Sequence, residues 1–124
     1  MEFIKTNDTV RFGVVTSNAS GDISAADSTP RWSVFEQATD TPILLGDFTV
    51  RTGFAGVYRG TFDATAANGF DANSYYEIHA SGAVGGIEGR SIIKAFVLDD
   101  TYNANIVQVT GYAIAPTTTI DANI

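Results

Sequence analysis

His79 is the single imidazole of the chain, and the residues two positions away on either side are Glu77 and Ser81. Residues two apart share a face of an extended strand, so a carboxylate, an imidazole and a hydroxyl fall in one row. An acyl-transfer triad uses these groups, with the hydroxyl on one ring nitrogen and the acid on the other. No G-x-S-x-G elbow exists to expose a serine nucleophile, and the expected role of His79 is that of a surface or interface histidine. Of the 14 acids only Asp99 and Asp100 are adjacent, and adjacency on an extended backbone turns them to opposite sides, which a catalytic carboxylate pair cannot use. With Asn103 and Asn105 they form the one oxygen-rich cluster that a hard cation such as Ca²⁺ would accept. Lacking the glycine and terminal glutamate of an EF-hand loop, the cluster reads as a solvated turn. The chain has no cysteine, which closes thiolate chemistry, disulfides and Cys-ligated zinc. Gly82-Ala83-Val84-Gly85-Gly86 is not followed by the Lys-Ser/Thr of a phosphate loop. These residues predict a protein that is not an enzyme, with no catalytic residue, no metal site and no cofactor.

The elements that hold these residues follow from composition and spacing. With 124 residues, 44% of them hydrophobic, the chain can build one domain that hides about two-thirds of its unfolded surface. Seven basic residues against 14 acidic ones give a formal net charge of -7 at pH 7. No run of Lys or Arg is present to neutralise phosphates or anionic headgroups, so neither nucleic acid nor a membrane surface is an expected partner. The opening Met1 to Asp8 turns polar before an apolar segment of signal-peptide length forms. The sequons at Asn7 and Asn18 are therefore expected to be chance matches.

Period-2 alternation dominates. Val10, Phe12 and Val14 share one face of 9–16, and Trp32 and Val34 share one face of 31–37. Further strands are predicted at 42–45, 48–52, 57–63, 75–80 and 91–98. In 57–63 the inward set is Tyr58, Gly60 and Phe62, because the other set carries Arg59 and Asp63, which are costly to bury unpaired. Tyr76, Ile78 and Ala80 are the inward set of 75–80, and Gly85-Gly86 marks a hairpin where positive φ is needed. Phe70, six residues before Tyr76, suggests a corner in which the tyrosine hydroxyl bonds back to upstream backbone. Seven to eight strands at this spacing predict an all-β, Ig-like antiparallel β-sandwich over residues 1–98. Its expected core contains Trp32, Val34, Phe62, Tyr76, Ile78 and Val97.

In 91–98 one face, Ile93, Ala95 and Val97, suits the core, while the other carries Ile92, Phe96 and Leu98 around Lys94 and requires cover. Residues 99–124 change character: Tyr102-Asn103-Ala104-Asn105-Ile106 is echoed by Ile120-Asp121-Ala122-Asn123-Ile124, as at the start of a repeat segment. Both faces of 105–114 carry apolar side chains, so a strand there needs cover on two sides. The segment 99–124 is expected to be an extended β arm used in assembly. The expected interface residues are Ile92, Phe96, Leu98, Ile106, Val107, Val109, Tyr112 and Ile114.

The opening Met1-Glu2-Phe3-Ile4-Lys5-Thr6-Asn7-Asp8-Thr9-Val10, the middle Thr41-Pro42-Ile43-Leu44-Leu45-Gly46, and Gly56-Val57-Tyr58-Arg59-Gly60-Thr61-Phe62 through Ala66-Ala67-Asn68-Gly69-Phe70 and Tyr75-Tyr76 together resemble small β-sandwich proteins and domains of tailed bacteriophages. Asn105-Ile106-Val107-Gln108-Val109 is similar to the repeat that follows the N-terminal sandwich of phage baseplate and fibre proteins. The resemblance implies a virion structural protein, assembled in the bacterial host cytoplasm, serving as a fibre base, a tail or neck accessory, or a capsid decoration. It implies other virion proteins as partners and a homo-oligomer, a trimer being one stoichiometry. The alternative reading is a carbohydrate-binding β-sandwich module, in which outward aromatics such as Tyr75 would stack on sugars.

Overall fold

The computed structural model describes residues 2–99, and these are all-β apart from one turn of 3₁₀ helix. Eight strands are formed: β1 (Glu2–Ile4), β2 (Thr9–Val15), β3 (Arg31–Glu36), β4 (Leu44–Asp47), β5 (Thr49–Val50), β6 (Val57–Asp63), β7 (Ser74–Val84) and β8 (Ile87–Leu98). They make a five-stranded sheet in the order β1-β8-β7-β3-β4 and a three-stranded sheet in the order β2-β6-β5. Pairing is antiparallel except between β1 and β8, which run parallel. The parallel β1 pairing was not legible in the opening residues, whose three strand positions are too few to display a period.

The two sheets close on one core that draws Val10 and Phe62 from the smaller sheet and Trp32, Val34, Tyr76, Ile78, Phe96 and Leu98 from the larger. The inward sets expected for β2, β3, β6 and β7 are the ones found, because polar and charged residues at alternate positions leave only one face that can be dried. At the centre, the Trp32 indole lies flat over the backbone of Gly46, where an added Cβ would come within 2.1 Å of the ring. Its Nε1–H donates to the Asp47 carbonyl at 3.3 Å. Phe12 meets Trp32 edge-on at 5.5 Å between ring centres, and Phe62 stacks on Phe70 at 5.3 Å. The buried Tyr76 hydroxyl accepts the main-chain N–H of Asp71 at 2.7 Å and donates to its carbonyl at 3.3 Å, which is the corner expected from Phe70 and Tyr76.

β7 and β8 join through Gly85 and Gly86, both at positive φ (59° and 79°), between the paired Val84 and Ile87. This is the geometry of a two-residue I′ hairpin.

The strand β8 departs from expectation. Phe96 and Leu98, expected on an outward face, are fully buried in the chain's own core, and Val97, expected in the core, faces the other way and is half-buried. Two features produce the reversal. Lys94 shares the inward face with Phe96 and Leu98, but at the open edge its ammonium reaches Glu2 Oε1 at 2.7 Å, so the charge escapes burial by pairing at the rim. A bulge between Ile78/His79 and β8 leaves Ile93 without a register partner, and one extra residue inverts the alternation beyond it. Ile92 is thereby put on the outer face while Phe96 and Leu98 point inward.

Candidate functional site

The outer face of the five-stranded sheet is a grid fixed by strand register. Phe3, Val97 and Tyr75 form one cross-strand row; Ala95, Glu77 and Phe35 form the next. Ile92, His79, Ser33 and Leu45 form the third, and Arg90, Ser81, Arg31 and Asp47 the fourth. Three large apolar side chains in this grid stand well out in solvent: Phe3 at 45%, Ile92 at 56% and Leu45 at 58% exposure. Val97, Tyr75, Ala95 and Phe35 between them are half-buried by their neighbours on the sheet.

The charges on this face are largely tied to one another. His79 Nε2 lies 3.3 Å from Glu77 Oε1, with both side chains mostly covered. The imidazole rests against the Phe35 ring at 4.7 Å between centres, and the Arg90 guanidinium sits over the same ring, 5.9 Å from its centre. Arg31 pairs with Asp47 at 3.2 Å. A face of this kind, apolar with internally compensated charge, loses little on being dried against another protein surface, since few ions are stripped of water without a partner.

Glu77 and His79 are thus brought together as their spacing suggested, but neither Ser81 nor Ser33, which lies opposite His79 on β3, hydrogen-bonds to the ring. Among the described residues no group of three or more His, Asp or Glu could hold a metal ion. Of the oxygen-rich cluster only Asp99 is described; Asp100, Asn103 and Asn105 lie outside. A groove of 330 Å³ lies beneath the β7–β8 hairpin, lined by Val14, Pro30, Ala80, Val84, Ile87 and Ser91 among others. It is open, and the loop before β3 closes one side of it.

Of the expected interface residues, Ile92 is exposed on the outer face, whereas Phe96 and Leu98 are interior and unavailable to any partner. Ile106, Val107, Val109, Tyr112 and Ile114 lie outside the described residues. Phe3, Leu45 and Val97 were not anticipated on this face. Each sits on a different strand, and only the cross-strand register, which no local pattern encodes, places them on one face of the sheet. No protein-family model, curated protein or solved structure matches the chain.

Proposed function

We propose that this chain is a non-enzymatic structural module of a virion, and that the outer face of its five-stranded sheet adheres to neighbouring virion proteins. The observation that carries the reading is the placement of Phe3, Ile92 and Leu45, all well exposed, on one sheet face whose ion pairs are satisfied internally. Monomeric proteins seldom leave such an apolar patch in water. The strand order supports the finer, Ig-like reading: β2, β6 and β5 against β8, β7 and β3 correspond to the B-E-D and G-F-C sheets of that sandwich, with Trp32 on the C-like strand and the Tyr76 corner before the F-like one. The tailed-phage setting, as fibre base, tail or neck accessory or capsid decoration, rests on the resemblance of 1–98. The arm 99–124, with Ile106, Val107, Val109, Tyr112 and Ile114, is proposed as a second adhesive element that adds a strand to a neighbour.

Tyr75, Phe35 and Phe3 on the same face give the carbohydrate-binding reading its footing, since exposed rings stack on sugars. Val97 lies between Phe3 and Tyr75, and the polar Glu77 and His79 beside Phe35 are bonded to each other at 3.3 Å, which favours protein over sugar. The test is a double substitution, Ile92→Asp with Leu45→Asp, in the full chain. Both positions are exposed, so the fold is retained and incorporation into particles falls at least about ten-fold. Incorporation at the normal level, or retention of the variant together with loss of binding to a glycan panel, overturns the proposal.

A further inference from the structure

The opposite surface of the molecule, the outer face of the three-stranded sheet, carries a different feature. Arg11 on β2, Arg59 on β6 and Arg51 just after β5 all point outward there and are exposed. Arg11 is opposite Thr61, Arg59 is opposite Gly13 and Thr49, and Arg51 donates its main-chain N–H to the Val57 carbonyl at 2.8 Å. Each arginine is therefore the diagonal neighbour of the next, roughly 7 Å away. The three form an oblique stripe across the sheet, bordering a shallow trough of about 1020 Å³ floored by Gly13, Thr49 and Thr61.

None of the three takes part in an ion pair among the described residues. Two acids lie nearby and both have other partners. Asp47 pairs with Arg31 at 3.2 Å, and Asp63 accepts the Thr9 hydroxyl at 2.8 Å. In a chain with 14 acids and seven bases, three guanidinium groups left unpaired on one face are a specific arrangement. The strands β2, β5 and β6 turn no aromatic side chain outward here, and the exposed Phe54 lies in the turn that follows Arg51, so the stripe has no row of rings on which bases or neutral sugars could stack. It reads charge and geometry, and guanidinium forks match carboxylates.

The matching carboxylates are on the chain itself. One end of the sandwich, where β1, β3, β6 and β8 finish and β2 and β7 begin, gathers Asp8, Glu36, Asp40, Asp63, Asp71 and Asp99 against Lys5 alone. The main chain draws these ends together, with Asp99 N–H on the Ile4 carbonyl at 2.9 Å and Ala64 N–H on the Asp8 carbonyl at 2.9 Å. Asp8, Asp40 and Asp71 are exposed.

We infer that the Arg11–Arg59–Arg51 stripe is a docking surface for a second copy of this chain, which presents the acidic end of its sandwich. The contact joins unlike surfaces, so it is heterologous and can continue from copy to copy as a ring or a row. It is separate from the apolar face and does not depend on it. Two chains of charge -7 repel at long range, but at about 0.1 M salt a screening length of about 10 Å removes that repulsion and spares pairs in contact.

Sedimentation velocity on the full chain tests this. At about 0.1 M salt the wild type self-associates, and at about 1 M salt, where screening reaches about 3 Å, it becomes monomeric. Association through the apolar face would instead persist or strengthen with salt. The stripe variant, Arg11→Gln with Arg51→Gln and Arg59→Gln, and the end variant, Asp8→Asn with Asp40→Asn and Asp71→Asn, are each monomeric alone. Mixed, they form one-to-one complexes and nothing larger, because each supplies the surface that the other has lost. Thermal melts that match the wild type establish that both variants are folded. A wild type that stays monomeric at about 0.1 M salt, a stripe variant that associates normally, or a stripe that binds a polyuronate probe in place of a second copy each overturns the inference.

Discussion

The hydroxyl of Tyr76 and the main chain of Asp71, five residues upstream, form a closed hydrogen-bonded pair in which the phenol both accepts from the N–H and donates to the carbonyl. The ring itself is buried between Phe70, at 4.8 Å, and Phe96, at 5.6 Å, so the phenol ties the crossover before β7 to the core. Tyr76→Phe keeps the packing and removes both bonds. The expected loss is about 1–2 kcal/mol, read as a lower urea midpoint with an unchanged m-value.

Two glycines of similar appearance in the sequence have opposite roles. A Cβ at Gly60 would meet the Phe12 ring at 2.6 Å and Trp32 at 3.2 Å, whereas one at Gly89 meets nothing within 4 Å. Gly60→Ala is expected to cost about 1–3 kcal/mol through overpacking. Gly89→Ala is expected to be neutral or slightly stabilising, because alanine restricts the unfolded chain more than glycine does. Parallel thermal melts of the two variants check the contrast.

Asp27 fastens the long loop before β3 to the β7–β8 hairpin. Its carboxylate accepts the N–H groups of Gly85 at 2.9 Å and Gly86 at 2.8 Å, and its own N–H donates to the Ala83 carbonyl at 2.7 Å. Asp27→Ala removes the two side-chain bonds at an exposed site, for an expected loss of about 1 kcal/mol. Amide exchange should accelerate at Gly85 and Gly86 while the protection of Ile78 and Phe96 is retained; uniform acceleration throughout would refute a local clasp.

The sequence displayed most of the architecture and only part of the site. Alternation in β2, β3, β6 and β7 was readable because each strand pairs a dry face with charged or polar residues. In β8 the same rule misled, since Lys94 marked its face as outward while the structure draws the ammonium to Glu2 at the rim. The bulge at Ile93 then separated Ile92 from Phe96 and Leu98. Such events depend on the partner strand, and nothing local announces them. The outer grid of Phe3, Tyr75, Phe35, Ile92 and Leu45 was hidden for the same reason: its members come from five strands, and register alone assembles them.

The corrected β8 gives a direct comparison. Phe96→Ala opens a cavity among Phe62, Phe70 and Tyr76 and is expected to cost about 3–5 kcal/mol. Ile92→Ala, at an exposed site, should change stability by no more than about 0.5 kcal/mol. Equal losses in chemical denaturation would mean that Ile92 is interior as well.

The proposed adhesive role of the outer sheet face is tested most directly by a photo-reactive residue placed at position 92 in the particles of the proposed virion, with the same residue at Ala19, exposed on the loop before β3, as the reference. Illumination should join position 92 to a neighbouring protein chain in high yield and leave position 19 largely uncoupled. Coupling from position 92 that is no greater than from position 19 would contradict the account.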